Sequence, residues 1–528
     1  PRRPVHDRDH QHRQGRLTMT ATKDAPLQGA MLWLTAVMLA MANFIAVLDM
    51  TIANVSMASI AGSLGISSSQ GTWVITSYAV AEAIVVPLTG WLAARFGAVR
   101  VFTIAMMTFG AFSALCGFSG SLGMLVFGRI MQGLSGGCLM PLSQTLLSRI
   151  FPKERAPAAM ALWAMTTLVA PVLGPILGGS ICDNFSWPFI FFINVPIALG
   201  CAPLIARLLA RFESAKIKAP MDVVGLVLLV IFVGSLQLML DLGKDHDWFE
   251  AVEIRALAAI AIIGFLAFLA WELTDRNPIV DLRVFRHRGF TAAVFTLSLG
   301  YGSMFGANVL TPLWLQSYMG YTSTWAGLTT AWSGTTAVLM APIAGMMMAK
   351  KLDPRRIVFF GLMWIAAVML LRTYVTMDVT YWQIAVPLIL MGFGLPLFFV
   401  PLTALSLGSV EEHETASGAG LQNFLRTMSG AITTSLVTTA WDDKTVAAHA
   451  ELAGLADRGG DTLRTLTASG MSQEAAVSQL NNLVQSQSVM IATNQLMFVV
   501  ALVFVLAACA IWLAPRPSRA VDAHAGGH

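Results

Sequence analysis

Apolar residues in this chain come in long runs separated by short polar breaks. A helix needs about 20 mainly apolar residues to cross a hydrocarbon core of about 30 Å. Fourteen stretches reach that length, at 29–54, 72–94, 101–118, 122–148, 157–180, 187–206, 222–241, 252–272, 289–316, 325–349, 357–373, 381–407, 415–440 and 489–513. Inside a bilayer each backbone must satisfy its own hydrogen bonds, so every stretch is expected as a helix. The fold class that follows is an all-α polytopic membrane protein with 14 transmembrane helices.

Basic residues in the breaks test this count independently. With a cytoplasmic N-terminus, the inside segments carry 25 of the 33 Lys and Arg. The outside loops carry only Lys244, Lys444, Arg458 and Arg464, and Arg129, Arg255, Arg372 and Arg426 lie in or at the ends of stretches. Such a bias orients membrane proteins with the basic loops inside, and an even count places both termini there. One inside break, 408–414, departs from the pattern with Glu411, Glu412 and Glu414 and no base.

Composition removes the soluble alternatives. Hydrophobic residues make up 56% and charged residues 12% of the chain, against about 25% charged in ordinary soluble domains. Mean hydropathy is +0.68, which excludes disorder of the whole chain. A net charge of +4 is too small to indicate a nucleic-acid partner. The five cysteines have no paired spacing and are expected as small core residues. Residues 1–28, in which Met19 is the first methionine, and 514–528 are expected as disordered cytoplasmic tails, without a cleavable signal peptide.

An internal repeat organises the stretches. Pro87-Leu-Thr-Gly90-Trp-Leu-Ala-Ala94-Arg95 through Arg100 matches Pro342-Ile-Ala-Gly345-Met-Met-Met-Ala349-Lys350 through Arg355, each closing an apolar run and opening a basic loop. Parallel repeats mark transporters built of two six-helix halves with a site between them near midplane. The expected division is an N-terminal six-helix bundle over 29–210, two additional helices within 211–280, and a C-terminal six-helix bundle over 281–513. The polar segment 441–488 is expected outside, as one or two short amphipathic helices, with Ser472 and Glu474 as a helix start and Gly459, Gly460 and Gly470 as breaks. It reads equally as a solvated connector or a docking surface.

The chain has no GxxxxGK[ST] phosphate loop and no HExxH or paired Cys/His metal spacing. All nine histidines fall in tails or loops, so protons crossing the membrane must use carboxylates. Ionisable groups within a bilayer are costly and by default functional. Asp49 follows the apolar run of the first stretch, near its outer end. Glu82 lies in the middle of the second, on one face with Tyr78 and Thr89. Arg129 heads a stripe of Gln132, Gly133, Gly136, Met140 and Ser143 in the fourth, polar at one end and small in the middle, suited to a cavity wall and to close approach by another helix. Asp49, Glu82 and Arg129 are the proton-coupling candidates. Their alternatives are a structural ion pair for Asp49 and Arg129, and a neutral hydrogen-bonded carboxyl for Glu82. Asn43, Tyr78, Gln132, Met140, Asn308, Gln316, Gln422, Asn423 and Arg426 are the candidates for a substrate cavity. In the fifth stretch, Ala170, Gly174 and Gly178 form a close-packing face, and Pro171 and Pro175 permit a bend.

These segments together resemble the major facilitator superfamily, in its fourteen-helix drug:proton antiporter branch. Gly90-Trp-Leu-Ala-Ala94-Arg95-Phe-Gly97-Ala-Val-Arg100 is similar to the cytoplasmic gating motif, departing from it at Ala94, where the usual pattern has aspartate. Gly128-Arg129-Ile-Met-Gln132-Gly133 resembles the proton-coupling motif. Pro171, Gly174, Pro175 and Gly178 resemble the antiporter motif, and Leu48-Asp49-Met-Thr51-Ile-Ala-Asn54 the first-helix motif of the branch. Trp73 to Ser77, Trp187 to Pro196, Trp271 to Asp281 and Thr324 to Leu328 are similar to the EmrB-type exporters. The resemblance spans roughly 30–513. It implies a proton-driven exporter of amphipathic drugs or toxic organic compounds across the bacterial inner membrane, with an EmrA-type periplasmic adaptor and a TolC-type outer-membrane channel, and no cofactor. A dedicated exporter of one metabolite, lipid or siderophore is the alternative. An enzyme is not expected, since no mid-membrane histidine is present to activate a nucleophile.

Overall fold

The computed structural model describes residues 29–151, 156–213, 216, 221–243, 246, 248–275, 278–350, 352–376, 378–411, 414–456 and 461–516. The expected tail 1–28, residues 517–528 of the expected tail 514–528, Lys244, Glu412, Arg458 and the Gly459-Gly460 break lie outside these residues. The main helices are α1 (Gly29–Leu64), α2 (Trp73–Val85, continuing bent as Thr89–Phe96), α3 (Ala98–Gly117), α4 (Leu122–Ile150), α5 (Ala156–Asn184), α6 (Asn194–Leu209) and α7 (Val223–Leu242). They continue as α8 (Val252–Thr274), α9 (Arg288–Ser317), α10 (Ser323–Ala349), α11 (Pro354–Leu371), α12 (Tyr381–Gly408), α13 (Thr415–Ala456) and α14 (Gln473–Ala510). Among the described residues eleven helices are long and apolar enough to cross a membrane, or twelve with the two parts of α2 taken as one. Helices α5 and α13 pack among them, α5 against α1 and α10, and α13 against α9 and α14, which brings the passes to the fourteen expected.

Three boundaries differ from the sequence pattern. Helix α1 runs past 54 to Leu64, because Ser56 and Ser59 do not break it; the Ser56 hydroxyl donates to the Ile52 carbonyl of its own helix at 2.9 Å. Asp49 is therefore mid-helix and not near an end. Helix α2 is broken before Thr89 with a bend of 55°, where Pro87 supplies no backbone N–H. The segment 441–488 is mostly continuation of α13 and α14 beyond the bundle, joined by one short helix, Asp461–Ala468. Ser472 does cap α14, accepting from the Ala475 N–H at 3.2 Å, with Glu474 in the positive first turn.

The buried apolar residues fall into clusters. Leu39, Phe102, Phe109, Leu139 and Ile205 lie in one apolar cluster formed by the first passes. Leu310, Leu362, Phe398, Leu402 and Phe504 lie in another, drawn mainly from the last six but including Ala53 and Met57 of α1 and Ile75 of α2. Helix α7 bridges them: its Leu229 and Val233 pack with Ala83 of α2 and with Leu421 and Phe424 of α13. Helix α8 lies outside α7 and turns Ile262 and Ile263 outward, as lipid contact allows. The acids of 408–414 also find their reason. Glu414 accepts from His287 at 2.8 Å and pairs with Arg286 at 2.9 Å, and Glu411 pairs with Arg286 at 3.2 Å. The His287 hydrogen bond first, and then the Arg286 charge, hold the Glu414 carboxyl below the usual carboxylate range despite some desolvation. These acids neutralise a neighbouring basic loop, so they do not disturb the charge bias.

Helices that alternate in direction define two faces among the described residues: a basic one, with Arg95, Arg100, Arg283 and Arg286, and an opposite one carrying the 441–488 extension. Hydrogen bonds joining the two bundles directly cluster at the extension face. The Asp183 carboxylate at the end of α5 accepts from the backbone N–H of Ser323 at 3.0 Å and Thr324 at 2.6 Å, capping α10. Gln316 donates to the Val55 carbonyl at 2.8 Å, and Ser59 and Ser323 share a 3.1 Å bond. A Cβ at Gly327 would stand 2.0 Å from the Pro175 carbonyl oxygen, so α5 and α10 meet backbone to backbone. The extension face is closed. Gly327→Ala is expected to disfavour this closed arrangement, lengthening the distance between spin labels at Phe185 and Tyr321. An unchanged distance distribution counts against the contact as the seal.

Candidate functional site

Arg129 and Asp49 form a salt bridge in the first bundle, 1% and 0% exposed. The Arg129 guanidinium cannot shed its charge, and its hydrogens are shared among neighbours. Nε donates to the Val74 carbonyl at 2.8 Å, and Nη1 donates to Asp49 and, at 3.2 Å, to Gln132 Oε1. Its Cζ lies 4.3 Å from the Tyr78 ring centre and 5.6 Å from that of Phe191, placing a cation on two aromatic faces. Asp49 Oδ1 accepts from Asn194 Nδ2 at 2.7 Å and Gln132 Nε2 at 3.4 Å. Asn194 and Gln132 continue the network to Ser113 at 3.3 Å and Cys116 at 3.2 Å. Gly133 makes this possible: a Cβ there would sit 2.3 Å from the Tyr78 carbonyl oxygen, so α2 lies directly on α4.

The structure engages five of the cavity candidates in contacts between helices. Tyr78 and Gln132 are buried within the charge network, and buried Asn43 donates to Thr166 at 2.9 Å, tying α1 to α5. Gln316 belongs to the extension-face seal. Gln422 accepts from Ser406 and ties α12 to α13. Asn308, Asn423 and Met140 remain partly exposed.

Glu82 differs from Asp49. It is partly exposed, and among the charges acting on it that of Arg426, in the second bundle, weighs more than those of Arg129 and Asp49. Arg426 lies 5.3 Å from the Tyr301 ring centre, and its Nε makes no hydrogen bond. Glu82, Arg426 and Tyr301 thus bring α2, α13 and α9 together where the bundles face one another, an acid on one side and a base on the other.

The small-residue spacing of α5 has a packing role. A Cβ at Gly174 would reach 2.2 Å from Thr51 Oγ1, and one at Gly178 would reach 2.8 Å from Ile52 Cγ1, so α5 lies against α1 on one side and α10 on the other. Pro171 and Pro175 lie inside the helix. In the basic-face loop, Gly90 and Arg100 are exposed and Arg95 is half-buried. Gly97 has φ +100°, a conformation that disfavours side chains. Glu213, beyond α6, accepts from the Val99 N–H at 2.9 Å and the Arg100 N–H at 3.0 Å, capping α3. A carboxylate thus stands at this loop although position 94 is alanine.

Two residues escaped the sequence reading. Glu213 lies in an ordinary connector, without a local signal. Asp241 ends α7 and accepts from Thr76 at 2.9 Å, Gln237 at 2.9 Å and Ser435, joining α2, α7 and α13. Its signal was present: Gln237 and Asp241 stand one helical turn apart in an otherwise apolar stretch. Among the described residues His287, Glu411 and Glu414 are close enough to hold a metal, but Arg286 already compensates both carboxylates.

The Major Facilitator Superfamily model matches residues 39–434. The chain is 42% identical over 508 residues to the multidrug export protein EmrB of Escherichia coli K12, covering 95% of this chain and 99% of that protein. It is 40% identical over 506 residues to the fatty acid resistance protein FarB of Neisseria gonorrhoeae, covering 95% and 99%. Among solved structures, a D-xylose–proton symporter superposes with TM-score 0.57 at 15% identity, covering 92% of this chain and 98% of that one. Asp49→Asn is expected to cost about 3–5 kcal/mol, since it leaves a buried guanidinium unpaired. Asp49→Asn with Arg129→Gln should recover part of that loss. Thermal unfolding of the purified variants measures both, and strictly additive losses would mean the pair is not coupled.

Proposed function

The chain belongs to the major facilitator superfamily, and from that membership we propose a proton-driven antiporter that exports amphipathic drugs or toxic organic compounds by alternating access. The basic face is cytoplasmic and both termini lie there, in a bacterial inner membrane; the loop charge bias supports this orientation. The closed extension face then makes this the state loaded from the cytoplasmic side. An EmrA-type adaptor and a TolC-type channel are the partners that the likeness to EmrB suggests.

The observation carrying the mechanism is the contrast between two carboxylates. Asp49 is enclosed by Arg129, Gln132 and Asn194, so it holds the first bundle together. Glu82 stands partly exposed where the bundles meet and faces Arg426. Protonating Glu82 discharges one side of that junction and frees Arg426 for another acceptor or for reorientation. Ionising it restores the attraction. Proton and substrate therefore act on one electrostatic junction in alternation, which is the requirement for antiport. One proton moving inward across about 100 mV supplies about 2.3 kcal/mol. Residual apolar and polar exposure at Met140, Asn308 and Asn423 suits amphipathic cargo.

The likeness to a fatty acid resistance protein favours, as a second reading, a narrower exporter of amphipathic acids, for which Arg426 would receive the carboxylate. In reconstituted vesicles with an imposed pH gradient, wild type is expected to accumulate cationic and neutral dyes. Glu82→Gln should bind dye yet lose gradient-driven accumulation by at least about tenfold, the effect of about 1.4 kcal/mol. Full transport by Glu82→Gln overturns its coupling role. Transport confined to acids, and inhibited by Arg426→Gln, selects the narrower reading.

A further inference from the structure

At the basic face, where α7 begins and α8 ends, two acids meet. Asp222 caps α7: its Oδ1 accepts from the Gly225 N–H at 2.7 Å and from the Trp271 indole N–H at 2.8 Å. Glu272, in the last turn of α8, is 0% exposed, and its Oε2 accepts from the Val280 N–H at 3.2 Å. The second oxygen of each carboxyl, Asp222 Oδ2 and Glu272 Oε1, is buried and has no hydrogen-bond partner. These two orphans reach the same place. A Cβ added at Gly225 would overlap Asp222 Oδ2 and stand 2.6 Å from Glu272 Oε1, so glycine there is what lets the carboxyls approach.

The surrounding charges do not compensate the pair. Besides Asp222, the charges acting on Glu272 are Asp275 and Asp281, both acids. Arg283 donates to the Asp275 carbonyl at 2.6 Å, Arg286 pairs with Glu411 and Glu414, and Lys216 is exposed. Lys218 and Arg276 lie outside the described residues. Helices α2 and α13, which carry Glu82 and Arg426, meet α7 about two turns further on, at Leu229 and Val233. Among the described residues no base, including Arg95 and Arg100 of the first bundle, stands within ion-pair distance of either acid. The first turn of α7 offers roughly half a positive charge, short of the two negatives of an ionised pair. Like charges in contact oppose ionisation of both, and a buried acceptor without a donor is costly. Water would donate hydrogen bonds but bring no charge. The contact leaves no room for a Cβ, and so none for a hydrated cation. One proton answers both needs: carried by one carboxyl and donated to the other, it satisfies both orphans and leaves a single negative charge at the start of α7.

We propose that Asp222 and Glu272 share one proton, in a carboxyl–carboxylate clasp that holds the end of α8 and the segment at Val280 onto the start of α7. Folding takes this proton from the water at the basic face, and ionisation of the pair returns it there. With the proton gone, two negative charges face each other and the clasp opens. The segment it holds leads directly into α9, so the clasp anchors the two additional helices to the second bundle. The site is separate from the Glu82–Arg426 junction and does not depend on its role in transport.

Infrared spectra of the purified full chain at neutral pH test this by counting protonated carboxyls. The carbonyl stretch of one protonated carboxyl is expected in wild type and should be lost in Glu272→Gln and Asp222→Asn alike. Raising the pH should titrate that band away in wild type and lower Tm with it, because the folded clasp holds a proton that the unfolded chain has released. In Glu272→Gln an amide N–H donates in the proton's place, so that part of the alkaline fall in Tm should disappear. A wild-type spectrum from which neither variant removes a band overturns the proposal. So does a band lost in Glu272→Gln and kept in Asp222→Asn, which makes Glu272 a lone protonated acid. A Tm that drops when choline replaces sodium at fixed pH and ionic strength, in wild type but not in Glu272→Gln, also overturns it, since a cation then bridges the pair. Should Glu272→Gln fail to fold, Asp222→Asn alone decides: a band that it keeps overturns the sharing.

Discussion

A guanidinium placed in the membrane interior constrains everything around it, because its charge cannot be removed and its hydrogens must be met without water. Arg129 recruits Asp49 from α1, the Val74 carbonyl and the Tyr78 ring from α2, and Gln132 from its own helix. Through Asp49 and Gln132 the same network reaches Asn194 of α6 and Ser113 and Cys116 of α3. Five of the first six passes thus meet at one ion pair. In a bilayer the hydrophobic effect does not draw helices together, so such polar ties and close small-residue packing must supply the specificity. A pair with this many dependents is poorly suited to repeated proton exchange, which is why the proposed antiport mechanism assigns that exchange to Glu82.

The second bundle is built differently. Its core is an apolar cluster running through α9, α11, α12 and α14, and its two membrane arginines, Arg372 and Arg426, have no carboxylate within ion-pair distance among the described residues. Arg426 is left facing the other bundle's acid, while Arg372 is left facing a small cavity. The asymmetry leaves the incompletely satisfied charges in the second bundle. Helix α5 links the halves mechanically: the small residues that seat it on α1 continue toward the backbone contact with α10. A helix that must pack closely on two neighbours has little room for side chains, which explains why small residues and prolines dominate its second half.

The class, the pass count, the basic face and the list of costly membrane charges were all determined by the sequence alone, because each follows from one-dimensional quantities: run length, charge per loop, and polar residues inside apolar runs. The Gly-rich stripe of α4 was legible as a close-approach face for the same reason. Pairing was not legible. Nothing local distinguishes Asp49, which is sealed behind Arg129, from Glu82, which faces Arg426; the distinction needs the positions of α6 and α13, far along the chain. Gln132, Tyr78 and Asn43 read as cavity polar groups, since a side chain that pairs across a helix interface has the same periodicity as one that lines a cavity. Glu213 and Asp241 acquire their roles from partners more than a hundred residues away, Val99 and Ser435 among them. Tertiary structure decided which charges are satisfied and which are not, because satisfaction depends on distances between helices, and these are set by packing rather than by the order of residues along any one helix.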